Sequence, residues 1–162
     1  MALYYPPVSF YFDVKIAGAS SGNDTSFAEA SGLDAERSTV EIVEGGENRF
    51  THRLPDRGRY ANLVLKRGLM VASSAVFDWC SKTLESDLGK ALKPRDIDVS
   101  LLDAQASPLV TWNFKKAWPV KWNVAPLNAK ENEVAIETLE FCYSYMTRKQ
   151  VKTTGATGMF ES

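Results

Sequence analysis

The residues best suited to chemistry in this sequence are few and scattered. His52 is the sole histidine, so no two-histidine metal site can form. It stands in a polar stretch between charged neighbours, without a serine or carboxylate whose position could orient it as a base. Asp96 and Asp98 resemble an acid–base pair, yet they alternate with Ile97 and Val99. That pattern puts them on the solvated side of a strand, where charge is ordinary and nothing separates two carboxyl pKa values. Gly45-Gly46 is followed by Glu47 and by no helix, so it cannot cradle a phosphate on a helix N-terminus. Trp112, Trp118 and Trp122 could stack on a sugar, but Trp112 falls on the buried parity of its strand, and aromatics beside Pro119 suit packing beneath a loop. Cys80 and Cys142 are far apart and in no Cys-x-x-Cys spacing, which fits buried free thiols. No catalytic, metal or cofactor site is expected.

The 162 residues suffice for one domain with a full core. A net charge of -1 gives no bulk attraction to nucleic acid or anionic membrane. No apolar run approaches the roughly 20 residues that span a bilayer, and the opening Met-Ala-Leu-Tyr-Tyr-Pro-Pro lacks the basic and apolar regions of a signal peptide. The chain is therefore expected to be soluble, with no membrane insertion of its own.

Hydrophobic periodicity supplies the elements. Val8, Phe10, Phe12, Val14 and Ile16 alternate with polar residues, as in a half-buried strand. Gly18 to Ser26 reads as an exposed loop, Phe27 to Ser31 as a short strand ending at Gly32, and Ser38 to Glu44 as a strand alternating through Val40 and Ile42. A turn follows at Gly45-Gly46. Glu47 to Arg59 is then polar, broken by Pro55 and Gly58, before strand alternation resumes at Leu63 and Leu65.

Ser74 to Asp87 has the only helical period, capped by Ser73 or Ser74. Val76, Phe77, Cys80, Leu84 and Leu88 form its apolar stripe, with Trp79 flanking, and Gly89 and Pro94 close the segment. Ile97 to Leu101 and Val110 to Phe114 form a hairpin across the turn-rich Asp103 to Pro108. Glu133 to Met146 changes parity between Ile136 and Leu139, which a bulge near Glu137 and Thr138 would reconcile. The polar tail from Lys149 to Ser162 should be mobile, so the domain is placed at 1–148. The expected fold is α+β and mainly antiparallel, with about seven strands around one helix in a sandwich or partly open barrel. Its strand edges lack obvious cover, and closed assembly would satisfy them.

In several segments the chain resembles the tail-tube proteins of contractile injection systems and contractile phage tails, which share the fold of the hemolysin-coregulated tube protein of type VI secretion. The segments are Phe10 to Ile16, Phe27 to Leu33, Val43 to Asn48, and Leu63 to Gly68. Phe77-Asp78-Trp79, Ala117 to Trp122 and Asn132 to Phe141 complete the series, in the family's order up to about Arg148.

The resemblance implies a hexameric ring whose sheets join into one continuous barrel, with rings stacked into a tube inside a contractile sheath. The implied partners are other copies of the chain, the sheath, baseplate proteins and cargo in the lumen. Assembly would take place in the cytoplasm, and the product would be part of a phage tail or an extracellular injection particle. A tube initiator or baseplate protein of the same fold is one alternative. A monomeric carbohydrate-binding module using the tryptophans is another.

Within this scheme Gly45 to Gly58 is expected to connect one ring to the next, with Gly45, Gly46, Glu47, Asn48, Arg49, Arg53, Leu54, Pro55 and Arg57 at the contact. Its alternating charges suit a complementary polar surface. Asp96, Asp98 and Ser100 should face the channel or the outer surface. On the channel, repetition around the ring would make them a negative wall.

Overall fold

A computed structural model describes residues 11–19, 27–46, 49–69, 74–86, 89–130 and 135–150. The elements in chain order are β1 (Tyr11–Ile16), β2 (Glu29–Ser31), β3 (Ala35–Ile42), β4 (His52–Tyr60), β5 (Leu63–Gly68), α1 (Ala75–Glu85), β6 (Arg95–Leu102), β7 (Pro108–Val124), β8 (Ile136–Cys142) and β9 (Tyr145–Gln150). The expectations for Val8 to Phe10, for Ser20 to Ser26, for Ser73, for Asp87 and Leu88, for Glu133 and Val134, and for the tail from Val151 lie outside the described residues.

The architecture is α+β and antiparallel, as the alternation implied. The main sheet runs β1-β6-β7-β8-β5-β2, with β9 also on β7, and it does not close. β7 makes this possible because it is long and bent. Its first half pairs with β6 and β9, and its second half pairs with β8. The bend lies at Lys116, whose φ of 53° is left-handed without being glycine. The Asp96 carboxylate accepts the Lys116 N–H at 3.0 Å and Lys115 Nζ at 3.2 Å, holding the irregular backbone in place. These bonds, led by the one from the Lys116 N–H, keep the Asp96 carboxyl below the usual carboxylate range. The segment around Pro119 is thus a bent strand rather than a loop over packed aromatics.

The bend folds two faces over one core. Val14, Ile16, Ile97, Val99 and Phe114 come from one side, Leu63, Leu65, Leu139 and Phe141 from the other, and Val76, Trp79 and Cys80 from α1. Ser74 caps the helix, its Oγ accepting the Phe77 N–H at 3.0 Å. The stripe assignment needs correction. Trp79 is buried and stacked on Phe141 at 5.6 Å, whereas Phe77 and Leu84 are exposed. The helix is rotated toward Trp79 because the flat indole covers Phe141 while its Nε1–H reaches the Lys93 carbonyl at 2.9 Å. Both cysteines are free, Cys80 buried and Cys142 half-buried.

The final segment also differs from expectation. It is two strands, parted at Tyr143 and Ser144, and the second includes Lys149 and Gln150. No bulge lies at Glu137. Its residue pairing with β5 is continuous, and Glu137 sits on the inward parity with Leu139 and Phe141. What looked like a parity change is a buried carboxylate. Glu137 is 2% exposed, and its Oε2 receives Arg67 Nε at 2.6 Å from the directly opposite position on β5, where Arg67 is 1% exposed. Trp122 Nε1 donates to Glu137 Oε1 at 2.6 Å, Arg67 Nη2 donates to Ser74 Oγ at 3.3 Å, and the guanidinium lies over the Phe27 ring.

Tyr143 fastens the corner between β8 and β9. Its hydroxyl donates to the Ala61 carbonyl at 2.8 Å, and its ring packs on Phe114 and Tyr60. Burial, aided by the neighbouring Tyr60, Cys142 and Asp34, pushes the phenol from 10.0 up to about 12. A raised folded pKa means that this residue's stabilisation is fully present below pH 10 and is lost as pH rises through about 12. An alkaline absorbance titration should therefore show one late-ionising phenol that Tyr143→Phe removes. Superimposable curves for the two proteins would contradict the buried hydrogen bond.

Candidate assembly surfaces

Among the described residues, two features stand out beyond the core: outer strand edges and a projecting hairpin. In the β1-β6-β7-β9 half of the sheet, β1 and β9 are the outer strands. Each neighbour is antiparallel to the next, so β1 and β9 run in opposite directions. A second copy could therefore set its β1 beside this β9 and continue the antiparallel ladder.

The outer face of this half is polar across its full width. One row reads Lys15, Asp98, Asn113, Thr147, and the next Asp13, Ser100, Thr111, Lys149. Asp98 Oδ1 accepts Asn113 Nδ2 at 2.5 Å, and the Ser100 and Thr111 hydroxyls meet at 3.0 Å. Asp96, Asp98 and Ser100 are half-buried on this face, alternating with the buried Ile97 and Val99. The face does not make a negative wall, however. Lys15, Lys115 and Lys149 balance Asp13, Asp96 and Asp98.

The projecting hairpin consists of β3 and β4, which pair only with each other. The polar excursion after the double glycine is therefore largely a strand, even at Pro55 and Gly58. Pro55 stands opposite Thr39 next to a register shift, where a missing N–H disturbs the ladder least. Gly46 has φ 101°, as the turn demands, and Gly45 is exposed beside it. Glu47 and Asn48 lie outside the described residues. Arg49 and Arg57 are exposed, Arg53 pairs with Glu41 at 3.3 Å, and Leu54 is opposite Val40. The structure thus joins Arg53, Leu54 and Pro55 on one strand with Arg57, and puts Gly45 and Gly46 at the tip.

Sequence reasoning missed the partners of Leu54. Val40 and Ile42 were read as an alternating strand; they lie on the hairpin and remain exposed, as does Phe50.

His52 Nε2 lies 3.9 Å from Glu44 Oε2, and its ring meets the Phe50 ring edge-on. Among the described residues no cluster of three His, Cys, Asp or Glu could hold a metal ion, and no helix is long and apolar enough to cross a membrane. A cavity of about 700 Å³ opens beside α1, lined by Lys82, Thr83, Ser86, Lys93 and Arg95 among others. Its two hydroxyls are spent on helix carbonyls, Thr83 on Trp79 and Ser86 on Thr83. The tryptophans form no shared platform. Trp112 packs under Arg148, and Trp122 is held by Glu137 and Phe77.

Comparison with known proteins agrees with a fold built for assembly. The family model described as T4-like virus tail tube protein gp19 matches residues 8–147. A chain in the anti-feeding prophage baseplate structure is 29% identical, with 93% of this chain and 99% of that chain covered and a TM-score of 0.76. A chain in the cap that terminates the anti-feeding prophage tube is 25% identical, with coverage of 93% and 95% and a TM-score of 0.77. Hcp1 from Flavobacterium johnsoniae is 12% identical, with coverage of 86% and 95% and a TM-score of 0.50, a likeness of fold alone. No curated protein is significantly similar to the chain.

Proposed function

The chain belongs to the T4-like virus tail tube protein gp19 family and is a structural tube subunit of a contractile injection system, and from this we propose that it works as the repeating unit of stacked hexameric rings. The observation that carries the proposal is the pair of free, oppositely directed edges, β1 and β9, on one polar-faced sheet. Heterologous pairing of β9 with the next copy's β1 would consume both edges and close a barrel when the rotation returns to the start. Asp13 and Lys149 end one polar row at opposite edges, so their charges would meet across the joint.

In such a barrel the polar face lines the lumen. Its balanced charges suit passage of cargo of either sign, since no single-sign field would hold it. The helix lies on the opposite side of the core, toward a contractile sheath. The hairpin, with Gly45, Gly46, Glu47, Asn48, Arg49, Arg53, Leu54, Pro55 and Arg57, reaches the next ring. Baseplate proteins would template the first ring, assembly would take place in the cytoplasm, and the subunit would act mechanically, without bond chemistry or a cofactor.

Negative-stain imaging and light scattering of the purified protein test this. Rings of six and tubes are expected, with interfaces burying more than about 2,000 Å². A protein that stays monomeric under all assembly conditions would overturn the proposal. The likeness to a chain of the anti-feeding prophage baseplate favours a tube initiator as the second reading. An initiator would give single rings that do not elongate on themselves.

A further inference from the structure

Two long stretches of strand turn the same corner in this fold. β8 and β9 follow one another along one edge of β7. Trp118 faces Cys142 and Lys115 faces Tyr145, so only Lys116 and Ala117 lie between, against Tyr143 and Ser144. The Ser144 N–H donates to the Lys115 carbonyl at 2.9 Å across the corner. On the other edge β6 spans the same point. Arg95 faces Ala117 and Ile97 faces Phe114, so Asp96 alone stands against Lys115 and Lys116. An extra residue on one strand is a β-bulge, which bends that strand and increases its twist. A second register shift, between Pro119 and Lys121, involves β8 alone.

A left-handed residue at such a place is ordinarily glycine. Here it is Lys116, at φ 53°, a conformation that a residue with a Cβ keeps only when its surroundings impose it. Asp96 imposes it. One carboxylate oxygen accepts the Lys116 N–H at 3.0 Å and the other accepts Lys115 Nζ at 3.2 Å. The Asp96 carbonyl is itself tied to the end of β1 by the Ala17 N–H at 3.0 Å. The bulge is thereby latched to the β1-β6 side of the sheet. The corner sets the angle between the β1-β6-β7-β9 half and the β8-β5-β2 half that packs behind it. In a closed barrel, bulges and kinks at defined positions supply the curvature, and strand number, tilt and stagger must agree.

We infer, resting on the tube assignment, that the Asp96 latch on the Lys116 bulge is the device that sets ring size. It fixes the curvature of the half that carries the β1 and β9 edges, and the direction in which the other half stands behind it. Both quantities decide the rotation from one copy to the next, and a fixed rotation closes at one number of copies. Asp96 is a positioning residue in this role, acting through the backbone of Lys116. A lysine at the left-handed position serves the device better than a glycine. Glycine would take this φ and many others equally well, whereas Lys116 keeps it only while Asp96 holds the N–H.

The test uses the full chain as wild type, Asp96→Asn, Asp96→Ala, and Asp96→Ala combined with Lys116→Gly. Ring size is read from negative-stain class averages and mass photometry, stability from chemical denaturation, and the latch itself from hydrogen exchange of the Lys116 amide. The wild type should give rings of one size and a protected Lys116 amide. Asp96→Asn keeps an oxygen for the Lys116 N–H and loses only the charge, so its rings should match. Asp96→Ala should unprotect that amide, lower the denaturation midpoint, and reduce the ratio of wild-type-sized rings to all other forms at least about tenfold, a factor within the reach of one charge-assisted hydrogen bond. Adding Lys116→Gly should recover the midpoint and leave ring size scattered, because glycine accepts the bend without enforcing it. Uniform wild-type rings from Asp96→Ala, or ring size recovered together with stability in the double variant, would overturn the inference and leave the tube assignment standing. Wild-type protein that forms no ring would overturn the tube assignment instead, and fast exchange of its Lys116 amide would overturn the latch separately. If Asp96→Ala alone does not fold, the double variant carries the comparison, and uniform rings from it would equally overturn the inference.

Discussion

Gly32→Ala should destabilise the subunit by about 3 kcal/mol or more, combining the cost of a left-handed backbone with that of overpacking. Gly32 has φ 81°, and a Cβ there would lie 1.9 Å from the Asn62 carbonyl oxygen and 2.9 Å from its carbon. Neither atom can yield, because Asn62 is held from both sides. Its backbone leads directly into β5, and its Nδ2 donates to Glu140 Oε1 at 2.8 Å. The close approach is what lets β2 turn past β5 into the hairpin. Chemical denaturation measures the loss, and hydrogen exchange should localise it to β2 and the root of β3. Gly45→Ala is the control. Nothing lies within 4 Å of its added Cβ, so its effect should stay within about 0.5 kcal/mol. A Gly32→Ala protein with a wild-type midpoint would show that the two segments are not in contact.

The second large effect belongs to the buried pair of Arg67 and Glu137. Removing one partner leaves a buried charge uncompensated, which costs about 3–5 kcal/mol. Glu137→Ala should approach the upper end, because it also strips the acceptor from Trp122 Nε1. Arg67→Met should loosen the start of α1 as well, since Arg67 Nη2 reaches the capping Ser74 Oγ. The double variant Arg67→Met with Glu137→Leu should recover much of the loss, as apolar replacements of buried pairs often do. Two single variants that each lose less than about 1 kcal/mol, or losses that simply add in the double variant, would show that the pair is not coupled.

This network also explains the limits of reading the chain without its fold. A glutamate at an inward position looks polar, so the run from Glu133 to Met146 appeared to change phase at Glu137. Periodicity counts residue types and has no means of pairing Glu137 with an arginine 70 positions away. The helix misassignment has the same origin. Phe77 and Trp79 are equally apolar, and only the place of Phe141 selects the indole. At β4 the fault lay in taking Pro55 and Gly58 as breaks in any regular element. Pro55, Gly58 and a run of charged residues conceal a strand that faces solvent on both sides in the isolated subunit.

Much was legible all the same. The alternation of Val14 and Ile16, of Ile97 and Val99, and of Leu63 and Leu65 placed each on the core. Ser74 marked the start of the helix. These features are local. A strand's two faces and a helix's first turn are determined by neighbours within a few positions, so the order of residues suffices to define them. The family resemblance likewise followed from ordered short segments.

The assembly surfaces were not local. Which edges stay open depends on which strands meet, and β1 becomes an outer strand only because β6 returns beside it. The bend at Lys116 decides that one strand serves both halves of the sheet, and it rests on Asp96, 20 residues earlier. The exposed apolar face of the hairpin exists because Val40 and Leu54, 14 positions apart, are brought opposite each other. The sequence alone therefore determined which side of each element is apolar, since that is set by a repeat of two or of about 3.6 residues. Which apolar sides are buried and which are left exposed was decided by long-range pairing, because burial depends on the element that arrives opposite.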